Sequence, residues 1–204
     1  GDGWAVSNGK ETILADRIIS TLPLQTLLPM LDVPSPIKEA CDALRYNSIA
    51  CISVGFKGIL PDISWMYVPE EQWGAFNRLS FPSNFSSKVA PEGCSAVLAE
   101  ITYNEGDEIS KMNDEEIIAR TVDGLVRMGI IPSGDDVVHT AVDHFKFAYV
   151  VYDLDYQKNI KIVREYLEGT LGIDLVGRFS EFEYINMDGC IRSAMNFVEK
   201  NTCE

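Results

Sequence analysis

The chain has 204 residues, 46% of them hydrophobic and 24% charged, enough for a substantial core in one or two globular domains. A formal charge of −14 argues against a general nucleic-acid or anionic-membrane surface, because such surfaces depend on clustered Lys and Arg. Five cysteines, Cys41, Cys51, Cys94, Cys190 and Cys203, are scattered with no C-x-x-C pair, which excludes an evident disulfide framework or zinc site and points to a reducing, cytoplasmic setting.

The chain opens on a hairpin signal, Asn8-Gly9, flanked by short strands at residues 4–6 and 11–14. A start inside a hairpin is expected of a fragment. "DRIIST" reads as a buried strand ended by Pro23, "LQTLLPML" as helical, and "SPIKEACDAL" as a helix with Ser35 at the N-cap and Pro36 at the first helical position. "NSIACISVGF" is a strand that Gly58 and Pro61 end. "SWMYVP", "FNRLSFP" and "CSAVLAEITY" follow as strands of an antiparallel meander separated by turn-rich sequence. Residues 113–131 predict the longest helix, with Asn113 as N-cap and an apolar stripe of Ile117, Val122, Leu125 and Val126. Beyond it come a long extended segment at 135–153, an amphipathic helix from Tyr156 closed by Gly169 or Gly172, a buried strand "IDLVGRF" and a last helix at 187–200. No run of about 18 apolar residues occurs, so no spanning helix is expected.

In that last helix Met187, Ile191, Ala194, Met195 and Val198 share one apolar face. Its N-terminus follows directly on a strand and an aromatic-rich loop. Unpaired N–H groups there suit a phosphate or other electron-rich group, and Gly189 allows close approach; equally, Asn186 or Asp188 caps the helix and binds nothing.

"GRFSEFEYINMDGCIRSAM" resembles the C-terminal flavin signature of UDP-galactopyranose mutases and of the protoporphyrinogen-oxidase-like, amine-oxidase-related flavoproteins. Two further segments, "ADRIISTLPL" and "AYVVYDLDYQKNIKIVREYL", resemble stretches of the same family in the same order, so the likeness covers essentially the whole chain. The N-terminal G-x-G-x-x-G turn of such enzymes has no counterpart here, "GFKG" and "GDG" lacking the spacing. The chain therefore resembles the C-terminal portion of a larger FAD enzyme, expected to hold FAD weakly by itself and to pair with a missing N-terminal Rossmann portion.

Carried over by motif, the resemblance implies that Gly177 and Arg178 pass beside the flavin ring, with Arg178 supplying positive charge to the reduced cofactor. It implies that Asn186, Met187, Asp188 and Gly189 approach the flavin and its ribityl-phosphate, and that Tyr149 and Tyr184 contact substrate. Val150 stands where the family usually has Pro, and Phe182 where the mutases commonly have Tyr.

Other residues carry plainer readings. His139 and His144, five apart on a strand, point to opposite faces and cannot chelate one ion, and no metal is expected. Aromatic residues between Trp65 and Phe85 read as core or as a cavity wall. Arg78, flanked by apolar strand residues, needs a carboxylate or phosphate partner.

The fold class expected is α+β: a mixed, largely antiparallel sheet with flanking helices as substrate domain (residues 25–169), plus segments 1–24 and 170–204 completing an absent Rossmann-type FAD domain. The resemblance implies an FAD-dependent oxidoreductase, with bacterial cell-surface polysaccharide synthesis as one setting. The alternatives are a mutase acting on a nucleotide sugar with reduced FAD, and a non-catalytic binding domain. Partners expected are a small-molecule substrate and, for the isolated chain, copies of itself through an uncovered apolar face, but not nucleic acid.

Overall fold

The computed structural model describes residues 3–202. Hairpin strands β1 (Trp4–Ser7) and β2 (Thr12–Ala15) precede β3 (Ile18–Ser20), α1 (Leu24–Leu27) and α2 (Ser35–Asp42). Next come β4 (Tyr46–Lys57), β5 (Trp65–Tyr67), β6 (Arg78–Ser80), α3 (Pro82–Phe85), β7 (Cys94–Tyr103) and α4 (Asp114–Arg127). The chain continues with β8 (Val137–Val150), α5 (Tyr156–Arg164), β9 (Ile173–Leu175) and α6 (Met187–Thr202). This is an α+β protein, and it divides into two units, Gly1–Tyr46 with Tyr149–Glu204, and Asn47–Ala148.

In the first unit, the Asn8-Gly9 turn forms as expected: Asn8 Oδ1 accepts from the N–H groups of Lys10 and Glu11, and Gly9 takes φ +85°, which costs glycine nothing. β3 and β9 pair in parallel, Ile18 opposite Ile173 and Ser20 opposite Leu175. Both strands are shorter than the apolar runs suggest, because the chain leaves the ladder at Val176, whose N–H still reaches the Ser20 carbonyl. The core here joins Leu24, Leu28 and Cys41 to Val163, Leu167 and Ile173. One helix boundary and the form of one helix differ from expectation. Pro34, not Ser35, occupies the N-cap of α2, so Ser35 is already helical and caps nothing. α5 runs only to Arg164, then widens into a π-turn at Glu165–Thr170 before Gly172 turns the chain at φ +68°.

The second unit is built on a five-stranded sheet in the order β5-β6-β7-β4-β8. β5, β6, β7 and β4 are antiparallel neighbours. β8 is antiparallel to β4 too, since Ser48 lies beside Lys146 and Gly55 beside His139. Alternate residues of β4 (Ala50, Ile52, Val54, Phe56) and β7 (Val97, Ala99, Ile101) face α4, where Ile117 and Leu125 complete the core. α4 starts where Asn113 predicts, with a full capping box: Asn113 accepts from the Glu116 N–H and the Glu116 carboxylate accepts from the Asn113 N–H.

Candidate functional site

The site grows from the end of β9, within the first unit. Past Val176 the backbone enters the left-handed region at Gly177 (φ +87°), and an added Cβ there would meet open space. The Gly177 N–H is fixed from two sides, donating to Glu181 Oε2 and Ser193 Oγ, both at 3.1 Å, while the Ser193 hydroxyl donates to the same carboxylate oxygen at 2.9 Å. The Gly177 carbonyl in turn accepts from the Glu181 N–H. A single acidic side chain thus ties the strand end, the loop and α6 together.

Arg178 follows immediately, half-buried, with Nη1 donating to the Ile185 carbonyl at 2.9 Å. Its guanidinium carbon lies 4.8 Å from the Tyr184 ring centroid, 5.4 Å from that of Tyr149 and 5.9 Å from that of Phe179. The rings hold the cation by their π-faces and limit its rotamers. Tyr149 and Tyr184 are themselves in contact, centroids 5.6 Å apart. So the structure brings together three of the residues the sequence singled out, from β8, the strand end and the loop. Beside them opens a cleft of about 620 Å³ lined by Arg178, Ile185, Asn186, Met187, Cys190 and Ile191, one cation among mostly apolar groups.

α6 begins at Met187, and its first intrahelical bond runs from the Cys190 N–H to the Asn186 carbonyl. Asn186, Met187 and Asp188 are exposed at this end. Gly189 has a local reason to be glycine: a Cβ would stand 2.9 Å from Ile185 Cβ, so the close approach it permits here is that of the preceding loop. Met187 is 84% exposed, and Ile191, Ala194, Met195 and Val198 along the same stripe are exposed as well.

Phe182 lies in the core instead of lining the cleft. It is 4% exposed, stacks on Tyr156, and accepts the Tyr156 hydroxyl at its carbonyl (2.7 Å). It does so at φ +53°, a conformation rare for a bulky residue. Burial pushes the Tyr156 hydroxyl up to about 12, with Tyr152 and Glu183 adding to the effect. Val150 packs against the same core. Neither departure from the family pattern therefore removes a group from the cleft.

Sequence reading missed Glu181, Ser193 and Tyr152, whose hydroxyl accepts from the Tyr184 N–H at 2.7 Å. None sits at a telling spacing; only the fold of the 177–185 loop makes them neighbours. In the second unit, Arg78 finds a carboxylate, Glu100, at 2.9 Å through Nε, and Glu100 is 5% exposed. His139 and His144 do face opposite ways: His139 abuts Gly55, whereas His144 bridges the Tyr103 hydroxyl and Asp114 at the start of α4. Four cysteines are free thiols, and Cys203 lies outside the described residues. Among the described residues no His, Cys, Asp or Glu cluster could hold a metal ion, and no helix is long and apolar enough to cross a membrane.

A family model for flavin-containing amine oxidoreductases matches residues 1–198. The chain belongs to that family. Among solved structures, a reduced UDP-galactopyranose mutase aligns at 23% identity and TM-score 0.72, over 83% of this chain and 37% of the mutase. A protein assigned as a protoporphyrinogen oxidase from Exiguobacterium sp. 255-15 aligns at 16% identity and TM-score 0.75, over 98% of this chain and 44% of the other. A putrescine oxidase aligns at 12% identity and TM-score 0.61, over 100% of this chain and 46% of the oxidase. At these identities the likeness establishes the fold. This member of the amine oxidoreductase family thus spans less than half the length of each of the three. No curated protein matches the chain.

Proposed function

We propose that the chain is the C-terminal, substrate-side portion of an FAD-dependent oxidoreductase, working with an N-terminal Rossmann portion of the same protein in the cytoplasm. The first unit, Gly1–Tyr46 with Tyr149–Glu204, would complete the FAD domain and the second, Asn47–Ala148, would form the substrate domain; the expected division at 1–24 with 170–204 and at 25–169 would cut through the core that joins Leu24, Leu28 and Cys41 to Val163 and Ile173. Arg178 carries the reading: a guanidinium seated among aromatic rings where a parallel strand ends, beside a cleft otherwise mostly apolar. Such a lining fits a flat, apolar ring that gains negative charge on reduction. The open space in front of Gly177 and the first turn of α6 fit the rest of the group.

When bound, FAD supplies the hydride-accepting ring. The chain's own residues do the remaining work. Gly177 lets a ligand pass close to the backbone, Arg178 offers a fixed positive charge, and Asn186, Met187 and Asp188 present N–H groups and side chains to the phosphate side. Glu181 and Ser193 keep the turn from relaxing. Tyr149 and Tyr184 offer hydroxyls to a small-molecule substrate.

A second reading, a mutase-type enzyme acting on a nucleotide sugar in polysaccharide synthesis, is favoured by one observation. Two tyrosine rings and a guanidinium converge within 5.6 Å of one another, a donor set suited to a diphosphate. Titration of the chain with FAD, followed by flavin fluorescence, tests the main proposal. The expected result is weak binding and a colourless protein; a yellow chain with stoichiometric flavin overturns the division of labour. Tight binding of a small ligand without flavin would favour a binding domain over an enzyme.

A further inference from the structure

The second unit holds a cleft of about 580 Å³ that the flavin reading does not use, on the sheet face away from α4. Its floor is two cross-strand pairs, Gly55 opposite Ala96 and Ser53 opposite Leu98. Strand positions ordinarily favour β-branched or aromatic residues, so Gly and Ala side by side leave a depression. Gly55 is needed there because a Cβ would stand 3.3 Å from that of His139, and this close approach puts His139 at the rim.

The opposite wall is Pro82 and Val89–Pro91, and the α3 turn that carries Pro82 is anchored by fixed bonds. Ser83 Oγ accepts from the Ala96 N–H at 2.9 Å, and Asn84 Nδ2 donates to the carbonyls of Pro61 and Ile63 at 2.7 and 2.6 Å. The floor and the Pro82 side of the cleft are therefore fixed, and its size lies within the range of small-molecule sites, roughly 300–1,000 Å³.

Its chemistry is distinctive for this chain. Although the sequence contains 17 Lys and Arg and 31 Asp and Glu, none of them lines the cleft. The cleft beside α4, by contrast, carries Glu71, Glu108, Arg120, Asp123 and Arg127. Of the polar side chains present, Ser95 already donates to the Gly58 carbonyl, which leaves Ser53, Cys94 and His139. We propose that this cleft binds an uncharged, largely apolar small molecule, its body against Gly55, Ala96 and Leu98 and its single polar end at His139. A charged ligand would lose its hydration with no opposite charge to meet.

Cys94, half-buried in the lining, reports on occupancy. The chain is treated with iodoacetamide, with and without 1-octanol, and Cys94 alkylation is followed by peptide mass spectrometry. Octanol at a few times its Kd should slow the reaction about fivefold by mass action. Octanoate should protect about tenfold less well, since its carboxylate would be desolvated unpaired. Ala96→Trp, which fills the floor, and Val89→Asp, which charges the exposed rim without touching the core, should each abolish the octanol effect. No protection up to the solubility limit, equal protection by octanoate, or protection that survives both substitutions would each overturn the proposal.

Discussion

The two units solve the problem of apolar surface differently. In the second, the largest fully buried side chains include Phe56, Phe76, Phe81 and Leu79, all at most 1% exposed and packed with Ile117 of α4, while Trp65, Tyr67 and Phe85 stay at the surface. In the first, a smaller core coexists with Ile13 at 66%, Leu14 at 82%, Ile19 at 52% and a whole stripe of α6 in the open. A parallel pair of three-residue strands is also unusual standing alone, since parallel sheets are normally covered on both faces. The contrast teaches that the second unit covers one whole sheet face with a helix of its own, whereas the first leaves a continuous helical stripe in the open, a surface suited to burial against something else.

The sharpest way to break the comparison is to disturb the seal of the second unit. Gly124 lies in α4, and an Ala there would ordinarily help a helix by about 1 kcal/mol. Here its Cβ would collide with the Trp73 carbonyl and with the Phe76 ring, while Arg127 clamps the same turn by donating to the carbonyls of Gln72 and Trp73. Gly124→Ala should therefore cost about 3 kcal/mol or more, read as a lower urea midpoint. Gly189→Ala in α6, facing only the Ile185 side chain at 2.9 Å, should cost clearly less. Equal costs would mean that the two units pack alike.

The next effect tests the site, in the protein with its FAD portion present. Arg178→Ala should make the reduced, anionic flavin harder to form and lower its potential. Tyr184→Phe or Tyr149→Phe should weaken a diphosphate substrate by about 1 to 3 kcal/mol, the range for a hydrogen bond to a charged group. UDP binding abolished by Tyr184→Phe supports the mutase reading, and failure of UDP to bind either redox state sinks it. An unchanged potential with lower thermal stability would make Arg178 a structural cation held by its aromatic neighbours.

How far the sequence could be read follows the same division. Periodicity reaches α4 and the meander because their patterns are complete within a few residues: a capping box, a 3.6-residue stripe, alternation along β4 and β7. It overruns at β3 and β9, and does not foresee that α5 widens into a π-turn before Gly172 closes it. An apolar run such as Ile173–Val176 marks burial, but does not say where the backbone leaves the ladder, and Gly177 decides that. Site residues drawn from one motif, Gly177, Arg178 and Tyr184, lie together because the loop is local, and Tyr149 joins them only through the path of β8. Glu181 and Ser193 were illegible, since an acid and a serine on a polar stretch look like any solvated pair until the loop closes on Gly177.

Alkaline pH separates the units by two thiols, the buried Cys41 and the half-buried Cys51. Burial, with Asp42 adding to it, pushes Cys41 of the first unit from 9.0 up to about 12. Burial, with Glu100 and Asp143 opposed by Arg78, pushes Cys51 of the second from 9.0 up to about 11. In both cases the folded state keeps its proton longer than the unfolded one. The unfolded chain then binds fewer protons above pH about 9, and stability falls as pH rises from there. The loss should end near pH 11 for Cys51 and near 12 for Cys41. Melting curves from pH 8 to 11 should flatten with Cys41→Ala for transitions of the first unit and with Cys51→Ala for those of the second. A slope unchanged by both would assign it to tyrosines such as Tyr156.

The smallest effect on stability should come from the surface that most distinguishes the first unit. Ile191 is 62% exposed and Met195 54%, so replacing either by Glu removes little burial. Each should change the unfolding free energy by no more than about 0.5 kcal/mol, as for other surface sites. A change that small in stability should accompany a large one in association. Apolar side chains at helical spacing offer a second copy a continuous stripe, and a carboxylate at its centre would have to be desolvated on contact. Light scattering should show concentration-dependent self-association of the chain, lost in Ile191→Glu, while Val89→Glu on the second unit leaves it unchanged. If Ile191→Glu instead unfolds the chain, α6 owes its place to packing that its exposure does not reveal, and the contrast between the units fails.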